Sequence, residues 1–330
     1  MPCRYPLDAA RRKGSGDKPI IYAHGRRPDP LSEGWEALQL PCGQCQGCRL
    51  EQSRVWGARI AHEAAYIEEE YGLYSSFVTL TYSEKNLPMY GSLVPDHLSE
   101  FVKKLRRHIA PRKIRYYGSG EYGSQCPRHK IQKCPVCGPI QRPHYHLIIL
   151  GYDWPDRYYV GDREGLAVYY SDTLEKLWDK GFHEIGSCSF ESASYCARYV
   201  MKKVTGKKAK YSGHYTRLCP WTLEWHEVEP EFARMSRGNR KGSGGIGKDW
   251  YDKHKDTMYP HDRCSIPGRG FIGTPPRYYD KLFGETNPEE LEVIKETRQK
   301  NMLDSLENGP SLEARIKNED ARLNLLKRTL

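Results

Sequence analysis

The stretch PHYHLIIL, Pro143 to Leu150, constrains this chain more than any other part of it. Apolar and β-branched residues crowded into so short a run, with proline at its front, read as a strand set into a core. A buried strand has little use for imidazole, yet His144 and His146 open this one. Successive strand residues point to opposite faces, so the two histidines project together while Tyr145 and Leu147 take the other side. Two imidazoles side by side offer two nitrogen ligands to a cation. The alternative is a pair of half-buried rings, each satisfied by a neighbouring backbone group.

The flanking pattern says what kind of sheet receives this strand. Arg49 to Glu70 is helical, with Val55, Ile60, Ala61, Ala64 and Ile67 along one side. FVTLTY (Phe77–Tyr82) reads as a strand. Leu93 to Ile109 reads as a helix with Leu98, Phe101, Val102 and Leu105 apolar and a basic end. Ile114 to Tyr122 is a second strand and His144 to Leu150 a third. Thr173 to Trp178 is helical, Phe182 to Ser189 is a fourth strand, and Ser192 to Val204 a helix. The order βαββαβ plus a helix predicts an α+β fold, a central antiparallel sheet with helices on one face. Met1 to Leu40 is polar, rich in Pro and Gly, and reads as irregular. The chain divides on this reading into a Cys-containing segment (1–50), a core (51–210) with a Cys/His insertion (125–139), a basic loop-rich extension (211–284) and a charged helical tail (285–330).

Glu121, in YYGSGEYG at the end of the second strand, gives the histidines a third partner. If that strand and the His144 strand pair as a hairpin, its carboxylate reaches the histidine face. Two histidines and one glutamate leave coordination positions open for water and substrate, as a catalytic site requires and a closed structural site does not. Mixed nitrogen and oxygen ligands suit Mn²⁺ and can hold Mg²⁺, both able to polarise a phosphate oxygen. Nucleotide hydrolases with an HxHxH triad are excluded, because the third position here is Ile148.

SYCARYVMKK (Ser194–Lys203) spaces Tyr195, Tyr199 and Lys203 four residues apart, which makes one stripe on a helix. Tyrosines at this spacing commonly pack, and the lysine is then simply solvated. Beside a metal site they take on another use. A tyrosine hydroxyl can attack a phosphodiester once the phosphate is activated and the phenolate stabilised. Two tyrosines would let one hold a DNA end while the other cuts again, with Lys203 neutralising the phenolate or the phosphate.

Cysteine enters with a different chemistry. Met1 to Gly14 has no apolar core of a secretory signal, and no apolar run is long enough to span a bilayer, so a reducing cytosol is the expected setting. The 11 cysteines are then read for metal rather than disulfides. CPRHKIQKCPVC places Cys126, His129, Cys134 and Cys137 at the spacing of a Cys₃His zinc site. CGQCQGC supplies Cys42, Cys45 and Cys48, and Cys3 is the fourth ligand if the N-terminus folds back. The alternative for each cluster is a loop with free thiols.

Charge points to the partner. The chain carries 52 basic and 42 acidic residues, a formal net charge of +10. Glu285 to Leu330 holds ten acids and eight bases, so the excess lies in the body of the protein. A basic body with 24 tyrosines against 7 phenylalanines suits a polyanion with stackable bases. Arg142 beside the histidines, Arg198 and Lys202 among the tyrosines, and Lys248 are the candidate DNA contacts. GSGGIGKD (Gly242–Asp249) matches GxxxxGK, but Asp249 stands where a phosphate loop needs Ser or Thr, and no strand precedes it. ATP binding is rejected. A basic glycine-rich loop near DNA phosphates and a solvated loop both remain.

FVTLTY, PHYHLIIL and YCARYVMKK, in that order, resemble the three motifs of rolling-circle replication initiators of the HUH endonuclease superfamily, with Tyr145 as the central residue of the histidine motif. The doubled tyrosine is similar to initiators of small isometric single-stranded DNA phages. PCGQCQGCR, the GEYG before RPHYH, LEKLWDKGF and GIGKDWYDKHKD resemble the initiators of gokushovirus-type microviruses. The resemblance covers most of residues 1–280. It implies an HUH/RRM-like palm and a nickase that cuts one strand of a circular intermediate at the origin. The enzyme stays on the 5′ end through tyrosine, leaves a 3′-hydroxyl for a host polymerase, and later recloses the displaced circle. By motif, it implies His144 and His146 as metal ligands and Tyr195 and Tyr199 as nucleophiles, with Glu121 as third ligand and Lys203 assisting. Origin and single-stranded DNA are the expected partners. A host helicase is expected too, since the chain shows no helicase motif, and the expected setting is the cytoplasm of a bacterial host. The contrasting reading from the residues alone is a zinc-containing nucleic-acid-binding protein without catalysis.

Overall fold

The computed structural model describes residues 3–14, 18–22, 26, 31–123, 142–163, 165–200, 215–219, 222–238 and 244–325. They group into two compact units, one from Met1–Arg54 with Glu296–Arg328, the other from Val55–Lys295.

The first unit carries β1 (Leu7–Arg12), β2 (Ile20–Ile21) and β3 (Trp35–Leu40), an antiparallel sheet in the order β2-β1-β3. Helix α1 (Gln46–Tyr71) starts in this unit. The expectation of an irregular N-terminus is corrected here. LDAARR and WEALQL pair over six positions, Leu7 opposite Leu40 through Arg12 opposite Trp35. Neither strand has an apolar face to announce it; only Ala9 and Ala10 of the two are buried.

The second unit is built on a seven-stranded, wholly antiparallel sheet. Its strands are β4 (Ser76–Thr81), β5 (Arg115–Tyr122), β6 (Pro143–Leu150), β7 (Tyr158–Arg163), β8 (Leu166–Tyr170), β9 (His183–Ser187) and β12 (Phe232–Met235). They lie in the order β12-β5-β6-β4-β9-β8-β7, so PHYHLIIL is an interior strand. Helices α2 (Pro95–His108), α3 (Asp172–Leu177) and α4 (Phe190–Val200) complete the expected βαββαβ-plus-helix order, interrupted by the β7–β8 hairpin.

Period-two alternation assigns the two faces. Val78, Leu80 and Tyr82 with Tyr145, Leu147 and Ile149 meet Leu98, Phe101, Val102 and Leu105 of α2. Those four helix positions follow the spacing of a single apolar stripe. Phe77, Tyr117, Ile148 and Leu150 point the other way, into a core with Ile60 of α1 and Ala193, Tyr195, Cys196 and Ala197 of α4. The α+β fold on an antiparallel sheet is as expected, and its layering is fuller than one helical face. LIIL is apolar on both sides, so the strand needs cover on both.

The region after residue 205 is less loop-like than its composition suggests. It holds β10 (Thr216–Leu218), β11 (Trp225–Glu227), β13 (Cys264–Ile266), β14 (Gly270–Gly273) and helices Lys248–Met258 and Arg277–Thr286. Trp250, Tyr251, Met258, Tyr259, Cys264, Tyr279 and Phe283 form a third core there. The His62 ring stacks on Trp250 with centroids 3.6 Å apart. Sparse aliphatics hid this core, because its volume is supplied by aromatic rings.

Leu147 is fully buried at the centre of the first face. Leu147→Ala should lower unfolding free energy by about 2–5 kcal/mol, read from urea midpoints at unchanged slope. A loss under about 1 kcal/mol would show that this face is not close-packed.

Candidate active site

The second face of the sheet is apolar at one end and polar at the other. Running along β4, β5 and β6 from Phe77, Tyr117 and Ile148, the same-facing positions become Thr79, Ser119 and His146, then Thr81, Glu121 and His144. The hairpin pairing expected between the two strands is present, with Glu121 opposite His144 and Ser119 opposite His146.

Glu121 is 1% exposed, and its Oε1 lies 2.7 Å from His144 Nε2 and 2.8 Å from His146 Nε2. Burial alone would raise this carboxyl; the two imidazoles outweigh it and hold it below the usual carboxylate value. Oε2 is buried without a hydrogen-bond partner among the described residues. His144 Nδ1 lies 3.1 Å from the Arg142 carbonyl oxygen, which only accepts, so Nδ1 carries the proton. In the neutral ring Nε2 then directs a lone pair at a carboxylate oxygen. That arrangement is repulsive without a positive charge between or on the groups. His146 Nδ1 is 3.0 Å from Thr79 Oγ1. The three ligand atoms lie within 4.8 Å of one another. Two imidazole nitrogens, a buried carboxylate and an orphaned acceptor oxygen fit a divalent cation, each ring oriented from behind as metal-ligating histidines usually are.

Tyr145, the residue between the histidines, is aromatic for a reason on the opposite face. Its hydroxyl donates to Val94 O at 3.0 Å, accepts from Val94 N at 3.1 Å and lies 2.5 Å from Tyr82 Oη. It ties β6 to the start of α2 without touching the histidine face.

Helix α4 crosses the histidine face. Tyr195 is 9% exposed, and its ring stands edge-on to His146 with centroids 5.3 Å apart. The helix comes close because its inward residues are small: Ala193, Cys196 and Ala197 are buried, and Cys196 Sγ donates to His146 O at 3.4 Å. Tyr199 lies one turn further along the same helix, with its side chain outside the described residues. Lys202 and Lys203 are outside them too, as are Cys126, His129, Cys134 and Cys137. Arg198 keeps its Nε buried without a partner among the described residues.

Two of the basic candidates are engaged within the protein. Arg142 donates to Tyr82 O at 2.6 Å and pairs with Glu84. Lys248 pairs with Asp252. In the glycine-rich segment, the Gly245 amide donates to Tyr278 Oη and the Gly247 amide to Glu63, each at 2.7 Å. Those amides are occupied by the protein itself, in keeping with the rejection of a phosphate loop.

Sequence reasoning missed Thr79. Its signal was in view, because FVTLT alternates and places Thr79 and Thr81 on one face. What it lacked was the β4–β6 register that makes this face the histidine face.

The fold and this group of side chains define an α+β protein with a candidate divalent-metal centre on an interior strand and a tyrosine-bearing helix packed against it. The replication-associated protein ORF2/G2P family matches residues 75–204, a span holding both histidines, Glu121 and both tyrosines. The chain is 32% identical over 274 residues to the replication-associated protein ORF2 of Spiroplasma virus 4, covering 79% of this chain and 73% of the relative. It is 28% identical over 298 residues to the replication-associated protein VP4 of Bdellovibrio phage phiMH2K, covering 88% and 79%. No solved structure matches significantly. The chain belongs to this family of phage replication-associated proteins, which bears out the resemblance of its motifs to microvirus-type rolling-circle initiators.

Thr79→Val removes the hydroxyl behind His146 and leaves the side-chain shape nearly unchanged. Mn²⁺ affinity by titration calorimetry should fall about 10–100-fold. Unchanged affinity would show that Thr79 does not orient the ring.

Proposed function

We propose that this protein is a metal-dependent DNA nicking and joining enzyme that starts and ends rolling-circle replication of a circular single-stranded DNA phage genome. The observation that carries this reading is the convergence of Glu121, His144 and His146, with the Tyr195 ring edge-on to His146. Glu121, His144 and His146 would hold Mn²⁺ or Mg²⁺, which when bound polarises a non-bridging oxygen of the scissile phosphate.

The chain's own residues do the rest. Tyr195 or Tyr199 attacks phosphorus through its phenolic oxygen. The new O–P bond forms as the bond to the 3′-oxygen breaks, the phenolic proton is lost and the departing oxygen gains one. The 5′-phosphate stays on tyrosine and a free 3′-hydroxyl remains for polymerase. In the reverse sense, a 3′-hydroxyl attacks the phosphotyrosine and recloses a strand. Two tyrosines a helical turn apart allow one to hold an end while the other cuts. Arg198, whose Nε has no hydrogen-bond partner among the described residues, and Lys202 and Lys203 beyond it in sequence are the proposed phosphate contacts, and Arg142 and Lys248 the more peripheral ones. Origin DNA and single-stranded DNA are the proposed partners, with unwinding and synthesis left to a host helicase and polymerase in the bacterial cytoplasm. Among the described residues no helix is long and apolar enough to cross a membrane.

One observation favours the contrasting reading. Tyr195 is nearly buried, as a packing tyrosine would be, and a DNA-binding protein without catalysis needs no more. Origin single strand incubated with Mn²⁺ and run on a denaturing gel separates the two. The nicking reading expects a covalent protein–DNA adduct, absent from the Tyr195→Phe/Tyr199→Phe double variant. It also expects His144→Ala to lose activity together with metal dependence. An adduct surviving in the double variant would refute the tyrosines. No adduct from the unaltered protein on a strand known to contain the origin would favour the binder.

A further inference from the structure

The nicking reading leaves the N-terminal cysteines without a role. In the first unit, Cys3, Cys42, Cys45 and Cys48 bring four sulfur atoms within 4.8 Å of one another. All four are free thiols, and Cys3 Sγ and Cys45 Sγ are 3.8 Å apart. A tetrahedron with metal–sulfur bonds of ~2.3 Å has edges of about 3.8 Å. Four sulfurs this close leave room for one ion. An iron–sulfur cubane places each thiolate on a separate iron, and needs them further apart.

Three of the four sulfurs also receive backbone amides, as bound thiolates commonly do. Backbone amides aim at the sulfurs: Cys42 N at Cys3 Sγ (3.2 Å), Cys45 N at Cys42 Sγ (3.3 Å), and Arg4 N and Cys48 N at Cys45 Sγ (3.4 and 3.5 Å). N–H groups turned on sulfur favour the anion. Helix α1 begins at Gln46, directly after Cys45, so its positive end faces the same group.

A second, independent observation concerns what else holds this segment together. Among the described residues of 1–54, the buried hydrophobic side chains are Ala9, Ala10, Cys45 and Cys48. Two alanine side chains contribute little burial to this segment, and small units with little apolar burial commonly add a disulfide or a metal. The cysteines sit where such a staple works best. Cys3 precedes β1, Cys42 lies 39 positions after it and just beyond β3, Cys45 directly precedes α1 and Cys48 is in its first turn.

We propose that Cys3, Cys42, Cys45 and Cys48 bind one structural zinc ion in tetrahedral thiolate coordination, clasping the ends of the β1–β3 sheet to the first turn of α1. The site is closed, with four protein ligands and no position for substrate, so its work is folding rather than catalysis. It stands whether or not the protein nicks DNA.

The test uses the full chain purified without added metal. Elemental analysis is combined with thiol alkylation read residue by residue by mass spectrometry. Cys3 and Cys42 are partly exposed, so as free thiols they would react. They should resist alkylation until a strong chelator removes zinc, then react at least tenfold faster. A Cys42→Ser/Cys45→Ser variant should contain one zinc equivalent fewer than the unaltered chain, even if the Cys126 cluster holds a zinc of its own. Cobalt-loaded protein should show the thiolate charge-transfer band and strong visible absorption of a tetrahedral ion, both reduced in that variant. Equal alkylation of Cys3 and Cys42 before and after chelation would overturn the site. So would an undiminished zinc content in the variant. Stoichiometric iron in place of zinc would overturn the identity of the metal. If the double variant does not fold, Cys48→His, which replaces the sulfur ligand by an imidazole nitrogen, should retain the zinc; its loss there would also count against the site.

Discussion

Between β5 and β6 the pairing sets Glu121 across from His144 and Ser119 across from His146; between β6 and β4 it sets His146 across from Thr79. A slip of one residue in either pairing would turn the histidines or their partners to the α2 face. That face is filled by Leu98, Phe101, Val102 and Leu105 and has no place for them. Apolar cover on both sides of LIIL therefore fixes the register, and the register assembles the polar group at the strand's other end. The group is costly by itself. A carboxylate 1% exposed loses most of its hydration, and a buried charge is stable only with compensation. The two imidazoles compensate only where they carry positive charge, and Oε2 has no hydrogen-bond partner among the described residues. A cation would complete the balance.

β5 shows why local composition understates strand character. RYYGSGEY contains two glycines and a serine, residues that usually mark turns. Here the small residues answer close neighbours. A Cβ on Gly120 would fall 2.6 Å from the Phe232 ring, and one on Gly118 would fall 3.3 Å from Leu98. Ser119, between them, faces α4 and sits 3.6 Å from Cys196 Sγ. Neighbours on both faces crowd the strand, and small side chains let it pass between them.

Legibility followed amphipathic contrast. β4 and α2 were readable because one set of positions is apolar at a recognisable period, and β6 because its apolar and β-branched residues are crowded into one short run. The β1–β3 sheet was not, since polar or charged residues fall on both faces of LDAARR and WEALQL and burial reaches only Ala9 and Ala10. The β7–β8 hairpin was also missed. YYVGDREGLAVYY places tyrosine pairs on both of its faces, Tyr158 opposite Tyr170 and Tyr159 opposite Tyr169, so neither face looks interior. Of the candidate site, the His–His–Glu group followed from strand periodicity plus one assumed hairpin. Thr79 and the engagement of Arg142 depend on contacts between distant segments, which no local pattern contains.

The position of Tyr195 is set by how closely α4 can lie on the sheet, and that closeness is unusual in its demands. Ala193, Cys196 and Ala197 keep the helix side thin. Gly57 of α1 keeps the flank thin, because a Cβ there would collide with Ser194 Oγ. Cys196 also donates to the carbonyl of His146, the residue whose ring Tyr195 meets. One contact thus couples the tyrosine helix directly to the histidine strand. A bulkier residue at position 196 would have to lift α4 from the sheet, and one at 57 would have to displace the Ser194 and Phe190 side chains. Reacting groups must approach within about 3–3.5 Å, and small misplacements cost large factors in rate. Small residues on this helix therefore support the candidate chemistry as directly as the ligands do, although none of them could touch a substrate.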